Sequence, residues 1–501
     1  MRAQPPMRRR RRPWVRGVVV VALVAGLAAC VDSPPQAASP PPPASSSAPG
    51  PSGSGSAQGW APCEAPLFGL LCALVPSPDP AGAPVRVGMQ PARVPAARVG
   101  LLVYGVGGPG LAQRAALAQI LDGLPARVQD RFDVAAVEPP GVGPDGEPGV
   151  LTCAAGDLGR WLEVDLQAAD PKARTAVHAA AKRLVQACVN PQVDLARRMS
   201  TADAVAGVEA LRVRAGGGPV TYVGTSYDSL TGHAYARRYP GAVRALLLDS
   251  GLDPALTGAA LLRERAVAVE AALRRFTAAC RADACLGSLS VPDAVQRLRA
   301  TPPGGLTRRK LDEALLGGLT DERSGWSDLR NGLRMALDGN PDLLRQVADS
   351  YQARDAKGSP TSHPVQSAAY LCRDRAWPRS PKELDALADQ VAAAAPVLGR
   401  AVVYGAALCT TWPVPPRPLP AAAAAGARPP VLVLAVDGDP VTPAAWSRRL
   451  AASFGPRAPL LTIPGGWHTV LPTARNACAT RAAETFLTDP STPSPTTCPK
   501  Q

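Results

Sequence analysis

Three side chains of this chain could together cleave an acyl bond. Ser226 lies in Gly224-Thr225-Ser226-Tyr227-Asp228, between the apolar run Val220 to Val223 and a helical pattern that continues to about Arg238. A sharp strand-to-helix turn lifts a serine hydroxyl above the sheet, and the helix start aims free N–H groups at the same spot. His468 closes the turn Pro464-Gly465-Gly466-Trp467-His468, just after the run Leu460 to Ile463. Asp439 follows the run Val431 to Val436 and precedes His468 by 29 residues. A serine hydroxyl attacks poorly until an imidazole takes its proton, and the imidazole needs a carboxylate to fix its tautomer and stabilise its cation. The resulting oxyanion needs N–H donors, here expected from Tyr227 and Gly108. The acid has an alternative in Asp249, which follows the strand pattern Val243 to Leu248, while Asp437 is expected to support the Asp439 loop. The other histidines stand apart, with His233 on the helix after Ser226 and His178 and His363 in polar excursions. The turn around Ser226 departs from G-x-S-x-G, because Asp228 stands where a small residue lets strand and helix approach. Its side chain must point outward or loosen that packing. So short a match arises by chance in many chains, so the elements around it must decide.

Those elements alternate as strand, turn, helix, strand, the pattern of a parallel sheet. Val85 to Ala97 alternates enough for early strands, with a hairpin as one arrangement. Val99 to Tyr104 is apolar throughout, as a strand buried on both faces must be, and it ends in Gly105-Val106-Gly107-Gly108-Pro109-Gly110. A helix pattern covers Leu111 to Leu124, and a second buried strand covers Phe132 to Val137. Gly105, Gly107 and Gly110 match a dinucleotide loop literally, but Glu138 comes 28 residues after Gly110, later than the usual ribose-binding acid at about 20. An oxyanion loop needs only a backbone N–H free to approach a site, which glycine permits. Cys153 to Cys188 brackets a polar, partly helical excursion, and Thr201 to Val213 forms an amphipathic helix. From Pro254 to about Pro420 strands give way to helical segments, from Leu261–Ala279 to Pro381–Ala393. Sheet patterns then return and end in a helix over Ala477 to Leu487. The expected fold is α/β, a mostly parallel sheet flanked by helices with an inserted helical lid. Its core occupies 60–255 and 420–501 and its lid 256–419. The order Ser…Asp…His, each member just past a strand end, is that of the α/β-hydrolase fold.

The formal charge of +14 overstates the basicity of the folded part, since Arg2, Arg8 to Arg12 and Arg16 all lie in the first 29 residues. No basic stripe carries interleaved aromatics, so nucleic acid is not expected as a partner. Residues 1–29 read as a signal peptide, with an arginine-rich start, an apolar run Gly17 to Ala28 and small residues at its end. Leu27-Ala28-Ala29-Cys30 resembles a bacterial lipobox, which implies cleavage before Cys30, a lipid on its sulfur and a place on the outer side of the cell membrane; secretion is the alternative. Residues 30–59 are mostly Pro, Ser, Ala and Gly, a composition that cannot bury a core and suits a tether. Besides Cys30 there are ten cysteines, an even number suited to an oxidising compartment. Their spacing suggests the local pairs Cys63–Cys72, Cys153–Cys188, Cys280–Cys285, Cys372–Cys409 and Cys478–Cys498. No C-x-x-C occurs and the histidines do not cluster with cysteines, so neither metal nor cofactor is expected.

From about Trp60 to Cys498 the chain resembles the exported bacterial tripeptidyl aminopeptidases, α/β-hydrolases related to prolyl aminopeptidases. The matching pieces are LLVYGVGGPG (Leu101 to Gly110), the turn with Ser226 and Tyr227, LLLDSGLDP (Leu246 to Pro254), DPVTP (Asp439 to Pro443), the glycine-rich approach to His468, C-x-D at Cys372 and Asp374, and C-x-x-W-P at Cys409 to Pro413. The resemblance implies Ser226 as nucleophile, Asp439 as acid, His468 as base, Gly108 in the oxyanion loop, and release of short peptides from free N-termini. Three positions depart from the family. Asp228 replaces a glycine, Glu138-Pro139-Pro140-Gly141 lacks the arginine of Asp-Pro-Arg-Gly, and Tyr104-Gly105-Val106 stands where the loop normally begins Asn-Pro. An aminopeptidase must bind a cationic N-terminus, for which Asp374, by its family match, and Asp228 are the expected carboxylates; Asp374 reads otherwise as a surface charge beside Arg373 and Arg375. The expected protein is a monomeric, lipid-anchored serine exopeptidase. An esterase or amidase on small acyl substrates, or a non-catalytic envelope lipoprotein on the same scaffold, are the alternatives.

Overall fold

The computed structural model describes residues 59–64, 67, 69–77, 84–417, 419, 429–455, 458–471 and 474–500. The leader, Cys30 and nearly all of the tether lie outside the described residues. Nine strands form one sheet: β1 (Ala61–Pro62), β2 (Leu71–Val75), β3 (Val85–Gln90), β4 (Gly100–Gly105), β5 (Phe132–Val137), β6 (Val220–Thr225), β7 (Val243–Asp249), β8 (Val431–Val436) and β9 (Leu460–Ile463). Their order is β1-β2-β3-β5-β4-β6-β7-β8-β9. The strands from β5 to β9 across this order run parallel, and β1 to β3 form an antiparallel edge.

Every residue of β6 and of β8 is buried, as expected of central strands with helices on both faces. The period of two divides their side chains between two cores. Leu102, Tyr104, Val223, Leu247 and Leu434 face one core, closed by the helices Gln113–Ile120 and Ala477–Thr488. Leu101, Val103, Tyr222, Leu248 and Val433 face the other, closed by Thr201–Arg214, Asp228–Arg238 and Ala444–Ser453. Each buried Val or Leu contributes roughly 1.5–3 kcal/mol, so aliphatic packing can compensate for few aromatics.

Two features differ from the sequence reading. The early strand ends at Gln90 and does not reach Ala97. Pro91 breaks the ladder and Pro95 opens a short 3-10 turn, Pro95–Ala97, because proline has no N–H to pair. Its hairpin partner is β2, which is only five residues long and holds Leu74 66% exposed. The excursion after β5 is also more than a polar detour. Val142, Leu158, Trp161, Val177 and Leu184 share one apolar core with Leu262, Phe276, Leu315, Leu333 and Val403, which lie between β7 and β8. The cover over the sheet therefore comes from two parts of the chain. The larger part runs from the helix Gly258–Ala282 to the helix Gly399–Tyr404. Disulfides join Cys63 to Cys72, Cys153 to Cys188, Cys280 to Cys285, Cys372 to Cys409 and Cys478 to Cys498. Among the described residues no helix is long and apolar enough to cross a membrane, and no three His, Cys, Asp or Glu side chains gather as a metal site.

Candidate active site

The register of the parallel strands gathers the site. Gly105 at the end of β4 stands beside Gly224 of β6, and Thr225 stands beside Asp249 of β7. Ser226 follows with φ 53°, a left-handed conformation that costs a non-glycine residue about 1–3 kcal/mol. Its neighbours hold it there. The Ser226 amide donates to the Asp249 carbonyl at 2.8 Å, and Ser229 Oγ donates to the Ser226 carbonyl at 2.6 Å. Gly224 makes the tight turn possible, since a Cβ there would lie 2.5 Å from the Asp228 carbonyl oxygen. The hydroxyl is thereby aimed out of the sheet while the residue stays 7% exposed.

His468 Nε2 lies 2.8 Å from Ser226 Oγ, and His468 Nδ1 lies 2.8 Å from Asp439 Oδ2. With the proton on Nδ1, the imidazole donates to the carboxylate and accepts from the serine. Asp439 is fixed by its own loop. Its Oδ1 accepts from the Val441 and Thr442 amides at 2.8 and 3.0 Å, and its Oδ2 accepts from Thr442 Oγ1 at 2.9 Å. Asp249 does not meet the imidazole through a hydrogen bond. Fully buried, it lies under the histidine loop, where Oδ2 accepts from the Val470 and Leu471 amides at 2.8 and 2.7 Å. Burial outweighs those bonds and raises its carboxyl to about 6. Asp437 faces Arg448 at 3.4 Å.

The cover also grips these loops. The His468 amide donates to the Thr320 carbonyl at 2.9 Å, and the Glu322 amide donates to the Gly466 carbonyl at 3.0 Å. Arg275, on the helix Gly258–Ala282, donates to the Gly438 carbonyl at 2.8 Å.

The glycine loop after β4 lies directly against the serine, since a Cβ on Gly107 would sit 3.1 Å from Ser226 Cβ. Gly107 and Gly108 have φ of 103° and 123°, conformations that favour glycine. Gln113 braces the loop. Its Oε1 accepts from the Val106 amide and its Nε2 donates to the Gly107 carbonyl, both at 2.8 Å. Glu138 serves this brace, accepting from the Gln113 amide at 2.6 Å and from Arg114 Nε at 3.0 Å. Sequence reading did not identify Gln113. Its only signal is its place at the start of the helix after the loop.

The two expected amine-binding carboxylates are not presented as free acids. Asp374 is buried, neither Arg373 nor Arg375 bridges to it, and its oxygens are engaged. Oδ1 accepts from the Thr201 amide at 2.8 Å, and Oδ2 accepts from Thr201 Oγ1 at 2.5 Å and from the Tyr227 hydroxyl. The surface-charge alternative is not met either. Of the two expected arrangements, an outward side chain or a loosened packing, the outward one is not met: Asp228 turns inward, because the Gly107 amide offers it a donor at 2.9 Å and Thr231 Oγ1 a second at 3.1 Å. His178 pairs with Asp385, and His233 with Ser453, away from the serine. His363 Nδ1 lies 2.9 Å from the Gly110 carbonyl, where the helix His363–Asp374 rests on the glycine loop.

An array of this kind can move a proton from a serine hydroxyl to an imidazole, and so form and break acyl bonds. Residues 101–292 match the family described as alpha/beta hydrolase fold, and residues 395–498 match the family described as TAP-like protein. The chain is similar to serine protease Hip1 of Mycobacterium tuberculosis, 29% identical over 404 residues that cover 75% of this chain and 76% of that protein. It is also similar to carboxylesterase B of the same organism, 27% identical over 423 residues and 80% of each chain. Putative hydrolase YuaR of Escherichia coli is 24% identical over 439 residues, 83% of each chain.

Proposed function

We propose, from the α/β-hydrolase fold and the family matches over residues 101–292 and 395–498, that this serine hydrolase is an exopeptidase releasing tripeptides from free N-termini. The observation that carries its catalytic part is the series Ser226 Oγ to His468 Nε2 and His468 Nδ1 to Asp439 Oδ2, each contact 2.8 Å. Ser226 Oγ attacks the scissile carbonyl carbon as its proton passes to His468. The amides of Tyr227 and Gly108 receive the oxyanion. Collapse breaks the C–N bond, and His468 returns the proton to the leaving amine. Water, deprotonated by His468, then attacks the ester; the C–Oγ bond breaks, His468 returns the proton to Ser226 Oγ, and the tripeptide is freed. The likeness to serine protease Hip1 supports a peptide substrate.

The name of the second relative, carboxylesterase B, favours an alternative reading as an esterase on small acyl substrates. One experiment separates the two. The disulfide-intact protein and Ser226→Ala are treated with a fluorophosphonate probe. Both are then given tripeptide amides with free or acetylated N-termini, and a simple ester. Labelling at Ser226 with cleavage of free-amine substrates alone supports the exopeptidase. Equal cleavage of acetylated peptides or faster cleavage of the ester moves the assignment to the esterase, and a folded protein that never labels removes both.

We further propose export and anchoring by a lipid on Cys30, from the leader and lipobox pattern. Cells fed a radiolabelled fatty acid should label the wild-type protein and not Cys30→Ser; equal labelling would refute the anchor.

A further inference from the structure

We propose that Asp228 is a positioning residue for the oxyanion loop, locking the backbone so that the Gly108 N–H is the one left for the substrate. The inference rests on the serine-hydrolase reading above. From Val106 to Pro109 the chain offers three backbone N–H groups, since proline has none. The Val106 amide goes to Gln113 Oε1 and the Gly107 amide goes to Asp228 Oδ2. Among the described residues no acceptor meets the Gly108 amide. Glycine has the widest backbone freedom of any residue, so a Gly107-Gly108 pair needs ties to keep one orientation. Gln113 provides them on one side through the Val106 amide and the Gly107 carbonyl. Asp228 provides the tie from the other side, and it stands two residues after Ser226 on the same turn. One carboxylate therefore sets the loop and the nucleophile in a common frame. Thr231 holds that carboxylate by donating to its second oxygen at 3.1 Å.

Space completes the argument. A Cβ on Gly105 would lie 2.6 Å from Asp228 Cβ and 2.9 Å from its Cγ. Side chains at 105 and 228 exclude each other, so Gly105 is the counterpart of Asp228. Gly105 leaves the space, and Asp228 fills it and braces the loop through the Gly107 amide.

The test measures kcat and KM separately on whichever substrate the wild type cleaves, for Asp228→Ala, Asp228→Asn, Gly105→Ala and the pair Gly105→Ala with Asp228→Gly, with a melting curve for each. Deleting a whole oxyanion donor costs about 100- to 1,000-fold in kcat. A donor left in place but poorly held should cost ~10- to 100-fold. Asp228→Ala is expected to fall in that range with KM within about twofold, as for an interaction made in the transition state alone. Asp228→Asn, whose amide oxygen still accepts from Gly107, should recover to within ~5-fold of wild type, about the worth of one neutral hydrogen bond. Gly105→Ala should lose kcat and melting temperature together, and Asp228→Gly added to it should restore part of the melting temperature, since the Tyr222 hydroxyl still lies 2.9 Å from the new Cβ, but not kcat. If Asp228→Ala fails to fold, the Asn variant and the Gly105 pair still decide. An active wild type beside an unimpaired Asp228→Ala, or an Asn variant as poor as the Ala variant, overturns this proposal and leaves the hydrolase reading standing. A wild type that neither labels nor cleaves removes both.

Discussion

Replacing Asp249 by Asn should reverse part of the protein's pH dependence of stability. Asp249 is fully buried and its carboxyl is raised to about 6, whereas an unfolded aspartate titrates near 3.9. Between those values the unfolded chain has already released the proton that the native state still holds. Stability therefore falls as pH rises through this window, and the full penalty is present above about 6. A shift of roughly two units corresponds to ~3 kcal/mol. Asn keeps the shape and does not titrate. Its oxygen can accept from the Val470 and Leu471 amides, and its NH2 can face Ser250 Oγ, which lies 3.2 Å from Asp249 Oδ1. Asp228, also raised to about 6, and His233, lowered to about 4 by burial, contribute equally to both proteins and cancel in the difference. Urea unfolding with disulfides intact, at pH 4, 5, 6 and 7, should show Asp249→Asn gaining on wild type by ~2 kcal/mol across the series, most of the full difference. A difference that stays flat, or that falls with pH, refutes the claim that an ion is held under the histidine loop at a cost in stability.

Other outcomes follow from single contacts. Thr442→Val removes the hydroxyl that donates to Asp439 Oδ2, and kcat/KM should fall about 3- to 10-fold in steady-state assays, the worth of one modest hydrogen bond. Gly224→Ala forces a methyl to within 2.5 Å of the Asp228 carbonyl; thermal melts should show a loss of ~2–4 kcal/mol or no folded protein, since overpacking at a fixed backbone is poorly relieved. Replacing Cys153 and Cys188 by Ser removes a link within the shared cover core and should lower stability by ~2–4 kcal/mol in urea titrations, while Ser226 labelling at low temperature persists.

The sheet and the meeting of Ser226, Asp439 and His468 were readable because their signals are local. Ser226 stands at a change from period two to a helical pattern, and Asp439 and His468 each follow an apolar run into a turn. The supporting residues could not be read in this way. Gln113 and Asp249 act by accepting from backbone amides on other segments, and nothing in their neighbourhood announces which amides those are. Asp228 marked a departure in the sequence, but its direction depended on a donor 121 residues earlier, the Gly107 amide. The excursion from Cys153 to Cys188 looked polar because its apolar residues are spaced for a partner surface supplied by the helices after β7. Asp374 looked like a surface charge or a substrate ligand, and only the folded chain brings Thr201 and Tyr227 to it.

The bonds from Thr320 and Glu322 to the histidine loop bear on how the parts could be exchanged. A cover joined to its base only by side-chain packing could be swapped between relatives as a cassette to change specificity. Here the cover's own main chain receives the N–H of His468 and donates to Gly466, and Arg275 clasps the Asp439 loop. A chimera made by cutting after β7 and before β8 would separate the base from the scaffold that aims it. Grafts should keep the native segment around Thr320–Glu322 and vary the helices beyond it. For the same reason, any entry path for substrate has to open along an edge of the cover, because swinging the whole of it away would carry the imidazole off the serine.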